Sequence, residues 1–254
     1  PFVLGATVAT TAAGLTSYNM LFYICGIAYI VLLVLVMIFP LPDADQKAAG
    51  KKEGLIDSLK HTHFSIESVA MILIGFTCTG TFQLWLNCAQ TFGTEIAKIP
   101  SQNVSVMQTY YSAGTMVALF VTSALITKFK QVRFLVIYPA ISLVMLALVY
   151  IIKTPMICYV GAFVIGYAAA GGVLQMATAV VNDLFPKIKG TITSLVMIAS
   201  SLCNYTILTA AAKMTSTSVI MMNIVITAIG ILLALFVNVR YGVLLKNAEE
   251  ASKK

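Results

Sequence analysis

The sequence predicts an all-α protein, a polytopic bundle of helices that crosses a membrane. Composition and the spacing of apolar runs both lead to this fold class. Of the 254 residues, 59% are hydrophobic and 10% are charged, and the mean hydropathy is +0.94. Ordinary globular chains are about 45–50% apolar and about 25% charged, because a soluble surface needs polar side chains. The composition therefore excludes a soluble enzyme, a nucleic-acid module and a disordered chain.

The apolar runs give the number of spans. A spanning helix needs about 20 mostly apolar residues, and seven runs reach that length. They are 18–40, 66–90, 104–127, 134–152, 156–182, 191–212 and 217–239. A shorter eighth run, 1–16, has neither an initiator Met nor a basic leader. We therefore expect a fragment of a longer protein, with about seven full spans plus one partial span.

The basic residues predict how the bundle is oriented. Three of the sixteen Lys and Arg residues, Lys98, Lys153 and Lys213, lie in alternate connections, and the other thirteen lie on the opposite side. Since the side richer in Lys and Arg faces the cytoplasm, we expect the 41–65 connection and the C-terminus to be cytoplasmic. The predicted location is the cell membrane, crossed several times.

Catalytic and metal chemistry is not indicated. All the cysteines lie within apolar runs without metal or redox spacing, and His61 and His63 lie in the 41–65 connection with no carboxylate cluster to complete a metal site. The sequence contains no H-E-x-x-H, G-x-S-x-G or phosphate-loop motif. It therefore predicts no enzyme, no cofactor and no metal. The expected partners are the lipid bilayer and a small-molecule solute, with no nucleic acid.

Uncharged polar side chains recur at helical spacing in four of the runs. An amide or a phenol cannot face hydrocarbon without a partner. These faces therefore either pack against another helix and form interhelical hydrogen bonds, or line a water-filled cavity. Four such faces on four helices favour a shared aqueous path, although both interpretations stay open. The candidate cavity residues are Gln83, Asn87, Gln108, Tyr111, Tyr167, Gln175 and Asn204.

Three local motifs give the chain a family resemblance. The segment Asp183-Leu184-Phe185-Pro186-Lys187-Ile188-Lys189-Gly190 resembles the acidic-apolar-Phe-Pro…basic-Gly signature that follows helix ten of major facilitator superfamily (MFS) transporters. Residues 123–133 resemble the family's loop between helices eight and nine, with Leu125 and Lys128 in place, and Pro1 and Gly5 match part of an antiporter motif in helix five. The chain thus resembles the C-terminal half of such a transporter plus the end of the N-terminal half.

The resemblance implies an MFS-like division of the chain. Residues 1–40 would end the N-terminal six-helix half, as part of helix five and all of helix six, and 41–65 would be the cytoplasmic interdomain loop. Residues 66–240 would be the C-terminal six-helix half, and 241–254 a cytoplasmic tail.

It also implies a function: a secondary active transporter that moves a small polar or amphipathic solute by alternating access, with a coupling proton or ion left open. Asp183 would form a cytoplasmic gate with Lys128, Lys130 or Arg133, or would be an exposed acid at a helix end beside Lys187 and Lys189. There are two alternatives to a transporter: a receptor or sensor that binds without translocating, and a structural membrane subunit.

Overall fold

A computed structural model describes residues 66–126, 129, 131–170, 173–184 and 189–252, together with scattered positions between 23 and 35. The chain divides into two compact units, Pro1–Lys60 and His61–Lys254. In the first unit the described positions, all between 23 and 35, are helical. The predicted run 1–16, most of the run 18–40 and the 41–65 connection lie outside the described residues.

The second unit consists of helices, which confirms the predicted all-α class for the described part of the chain. We number them α1 to α7 in chain order. They are α1 (Ile66–Glu95), α2 (Val106–Ile126), α3 (Gln131–Ile152), α4 (Pro155–Ile165), α5 (Val173–Leu184), α6 (Lys189–Ala211) and α7 (Ser216–Ser252). A π turn, Gly166–Ala170, follows α4.

Five of these helices, α1, α2, α3, α6 and α7, are long and apolar enough to cross a membrane. In the predicted run 156–182, the regular α-helix gives way to a π turn. Helix α4 starts with Pro155, whose missing N–H is not needed in a first turn, and it gives way to the π turn before α5 begins. The finer expectation of about seven full spans therefore stays a prediction.

Helix α1 lies at the centre of the unit and packs against both α6 and α7. Small residues allow these close approaches: a Cβ atom added to Gly75 would lie 2.6 Å from a methyl group of Val196 in α6. Helix α7 also packs against α3, while α2 packs against α4 and the π turn. The unit is thus built around α1, with α2, α4 and the π turn forming a second packed group.

The connections after α1 and α3 end their helices with lysines in the left-handed conformation. Lys98 has φ 57° and Lys153 has φ 54°. After α1, the Ile99 N–H donates to the Gly93 carbonyl at 2.9 Å, a bond across the left-handed residue that closes the last turn. Glycine is the usual residue at such a position, because a Cβ atom there is strained.

Candidate functional site

The polar face of α1 changes character along its length. Gly80 is buried, and an added Cβ atom would lie 3.0 Å from Ile207 of α6 and 3.2 Å from Ile226 of α7. Gln83 is half-buried and Asn87 is exposed. The Asn87 Nδ2 donates to the Gln83 carbonyl at 2.8 Å and to its Oε1 at 3.1 Å. The structure therefore brings these two predicted residues together at the open end of the face.

On α2, the predicted residues flank a close helix crossing. Gln108 is half-buried, and Tyr111 is 6% exposed. The backbone carbonyl of Tyr111 lies against Gly166 of the π turn, and Gly114 lies against the carbonyl of Phe163. No side chain larger than hydrogen fits at either glycine, so α2 and the α4–π segment meet backbone to backbone.

A hydroxyl group also joins α2 to the π turn. Thr115 Oγ1 lies 3.0 Å from the Tyr111 carbonyl and 3.2 Å from the Gly166 carbonyl, so its one proton can serve either acceptor. A π turn shifts the regular helical bonding by one residue, and an outside donor can satisfy a carbonyl that this shift releases. The turn is therefore supported from α2.

The π turn carries Tyr167 into an aromatic contact with α3. Its ring centroid lies 5.6 Å from that of Tyr138, and the Tyr138 hydroxyl lies 2.6 Å from the Thr122 hydroxyl of α2. Tyr167 is half-buried, whereas Tyr138 and Thr122 are buried. A polar and aromatic path therefore runs from α2 through α3 to the π turn.

The remaining predicted cavity residues lie on α5 and α6. The backbone of Gln175 lies in α5, and its side chain is outside what the structure describes. On α6, Asn204 is half-buried, and its Oδ1 is shielded from solvent without a hydrogen-bond partner in the described part of the chain. Since a buried amide oxygen needs a donor, Asn204 offers an acceptor to a ligand, to water or to another segment.

The predicted gate residues are only partly described. Asp183, near the end of α5, and Arg133, in the first turn of α3, are both exposed. They form no ion pair with one another in the described residues, and Lys128 and Lys130 lie outside these residues. Asp183 instead lies within electrostatic range of the Tyr241 hydroxyl of α7.

An ion pair that the sequence analysis did not anticipate joins the start of α1 to α7. Arg240 Nη1 lies 2.9 Å from Glu67 Oε1, with the Glu67 side chain 9% exposed and the Arg240 side chain 49% exposed. The Arg240 guanidinium also lies 5.7 Å from the ring centroid of Phe236, one turn earlier. The only sequence signal was an acid at one end of the first apolar helix and a base at the end of the last, which does not specify a pair.

A second unanticipated group joins α1 to α7 in the middle of the unit. Asn223 Nδ2 donates to the Thr81 carbonyl at 3.1 Å, and the hydroxyls of Thr81 and Thr227 are 2.8 Å apart. Asn223 and Thr227 share a face of α7 because they are four residues apart. Their polar groups form hydrogen bonds to α1, so these two residues hold the two helices together.

Chemically, the candidate site consists of neutral amides, phenols and hydroxyls. Within the described ranges, no group of three His, Cys, Asp or Glu residues is placed to hold a metal ion. Such a site can bind a solute through hydrogen bonds and ring contacts.

Comparison with known proteins gives matches along most of the chain. Residues 2–205 match the family model of the Major Facilitator Superfamily. The chain is 28% identical over 180 residues to "Inner membrane transport protein YdiN" of Escherichia coli (strain K12), which covers 69% of this chain and 43% of that protein. It is 29% identical over 193 residues to "Uncharacterized MFS-type transporter YfkL" of Bacillus subtilis (strain 168), covering 74% of this chain and 48% of that protein.

A third relative, "Inner membrane transport protein YdiM" of Escherichia coli (strain K12), is 29% identical over 187 residues, or 72% of this chain and 46% of that protein. The chain thus spans about half the length of the curated relatives it matches.

Proposed function

Because the chain belongs to the Major Facilitator Superfamily, we propose that it is part of a secondary active transporter that moves a small polar or amphipathic solute by alternating access. Members of this family are transporters rather than enzymes. Residues 66–240 act as the C-terminal six-helix half, and 1–40 end the N-terminal half. The protein resides in the cell membrane, with the 41–65 loop and the 241–254 tail in the cytoplasm.

The observation that carries the proposal is the open end of the α1 face. Residues that hold helices together bond to a second helix, as Asn223 does. Gln83 and Asn87 instead bond to each other along α1, and within the described residues neither has a partner on another helix. Their remaining donor and acceptor positions are free for water or a solute, which supports the cavity interpretation over interhelical bonding.

In the proposed cycle, the amides of α1, Gln175 and Asn204 bind the polar groups of the solute, and Tyr167 offers a ring face. Gln108 and Tyr111 border the same cavity from α2. Asp183 closes the cytoplasmic mouth by pairing with Arg133, Lys128 or Lys130 in one of the two states, which shifts the balance between them. The coupling species is a proton or another ion, held by groups outside the neutral faces described above.

Transport into proteoliposomes that contain the whole protein tests the proposal. A transported solute should accumulate against its own gradient, and an ionophore that collapses the driving gradient should abolish the accumulation. Binding without accumulation would favour the receptor or sensor alternative. Absence of both would favour a structural subunit.

A variant pair tests the assigned residues. Losing one hydrogen-bonding amide costs about 1–3 kcal/mol, so Asn87→Leu should raise the half-saturating solute concentration about 5- to 150-fold. Asn103→Ala is the matched control, because it removes an exposed amide from the connection after α1 and should leave uptake unchanged. Equal uptake by the two variants at low solute would contradict the assignment of Asn87.

A further inference from the structure

A small cavity lies between helices in the second unit. Its volume is about 10 Å³, and its wall consists of residues from α1, α3 and α7 together with Ala169 and Val173. The lining residues that matter here are Thr77, Thr81, Pro139, Ser142, Thr227 and Gly230. All six are buried.

Ser142 contributes a buried hydroxyl group to the cavity wall. The residue is 0% exposed, and its Oγ has no hydrogen-bond partner in the described part of the chain. A buried hydroxyl without a partner costs free energy, so native structures nearly always supply one. Pro139, three residues earlier in α3, has no N–H group, so the carbonyl of Leu135 loses its usual helical donor. The wall that α3 contributes is therefore short of hydrogen bonds.

The threonines across the cavity are short of protons. Thr81 Oγ1 lies 3.0 Å from the Thr77 carbonyl, and the hydroxyls of Thr81 and Thr227 lie 2.8 Å apart. Thr227 Oγ1 also lies 2.7 Å from the Asn223 carbonyl and 3.4 Å from Asn223 Oδ1. Each hydroxyl has one proton, so two protons must serve four contacts, and an additional donor in the cavity can bond to the hydroxyl oxygens.

We propose that the cavity is a binding site for one resident water molecule. The water accepts a hydrogen bond from the Ser142 hydroxyl and donates one hydrogen bond to a threonine hydroxyl oxygen on α1 and one to a threonine hydroxyl oxygen on α7. It thereby links α3 to both helices beside the residue at which Pro139 removes a backbone hydrogen bond. A space of about 10–15 Å³ holds one water, and buried waters typically make about three hydrogen bonds.

The chemistry of the wall favours water over a cation. The six lining residues named above are neutral, so a metal ion here would be an unpaired charge in a low-dielectric interior, which is strongly unfavourable. The wall also supplies a proton donor, Ser142, that water can use and a cation cannot.

High-resolution density for the whole protein in lipid nanodiscs tests the site directly. The expected result is a single peak about 2.7–3.1 Å from Ser142 Oγ, unchanged when sodium chloride is replaced by choline chloride. An empty cavity would overturn the proposal. A peak that disappears in choline chloride would show a cation site and would overturn it equally.

The sign of one stability change gives a second test that needs no density. If the cavity were dry, Ser142→Ala would remove an unpartnered hydroxyl and raise Tm. If a water is bound, the same change removes one of its hydrogen bonds and lowers Tm by a few degrees. Ser201→Ala is the matched control, because Ser201 is exposed on α6 and, among the described residues, donates to the Met197 carbonyl of its own helix alone. A Tm for Ser142→Ala equal to or above that of the control would contradict the proposal.

Discussion

Gly166→Ala tests the backbone-to-backbone crossing of α2 and the π turn. An alanine Cβ atom at this position would lie 2.9 Å from the carbonyl carbon of Tyr111, and it would lie closer still to the carbonyl oxygen of Tyr111. Both groups that collide belong to helix backbones, so no side chain can rotate away. The two helices must separate.

The size of the effect follows from this geometry. Carbon atoms in ordinary contact are about 3.5–4.0 Å apart, so a 2.9 Å approach requires a separation of about 0.6–1.1 Å. Overpacking of this kind costs about 1–3 kcal/mol, and rigid backbones on both sides favour the upper end. Alanine regains about 0.5–1 kcal/mol through its helix propensity. The net loss is about 2 kcal/mol, which lowers Tm by about 4–8 °C for a chain of this size.

The assay is thermal unfolding of the purified protein in lipid nanodiscs. Gly242→Ala is the matched control, because Gly242 lies inside α7 and a Cβ atom there would meet nothing within 4 Å. This control should leave Tm unchanged or raise it slightly. If Gly166→Ala proved as stable as Gly242→Ala, the close crossing and the reasoning built on it would be refuted.

Three further changes test other contacts by the same thermal assay. Asn223→Ala removes the donor to the Thr81 carbonyl and should cost about 1–3 kcal/mol; a loss under about 0.5 kcal/mol would show that this bond is not formed. Arg240→Gln should destabilise the protein by removing the cation that pairs with the mostly buried Glu67 carboxylate, and adding Glu67→Gln should restore part of the loss; additive losses would show that the two side chains are independent. Lys98→Gly should stabilise the protein by about 1 kcal/mol, because Lys98 has φ 57°; a decrease would contradict the left-handed conformation.

The sequence was sufficient for the fold class because hydropathy alone identifies helices that must satisfy their backbone groups inside a bilayer. It could not locate the π turn at Gly166–Ala170, because a π turn depends on contacts from α2 that leave no periodic signal. Hydropathy also ended the last span at residue 239, whereas α7 continues to Ser252. A helix can extend past the membrane in water, where hydropathy falls but helical bonding does not.

The candidate site could be predicted only one helix at a time. Spacing correctly placed Gln83 and Asn87 on one face, where the structure joins them. Spacing could not distinguish the part of that face which packs against other helices, at Gly80, from the part that stays open. The pairing of Glu67 with Arg240 was also beyond reach, because the two residues are far apart in the sequence and no local pattern connects them.

Thiol accessibility in membranes tests the central claim, that the polar faces line a water-filled path, more directly than any other measurement. In a background without the native cysteines, Asn87→Cys and Gln175→Cys would be treated with a membrane-impermeant, water-soluble thiol reagent applied from each side. Val144→Cys serves as the control, since Val144 is 61% exposed on the apolar helix α3, where the surrounding medium is lipid. We expect the cysteines of Asn87→Cys and Gln175→Cys to react and to become protected when a transported solute is present. The cysteine of the control Val144→Cys should stay unreacted. Failure of both to react from either side, at every stage of transport, would contradict the claim.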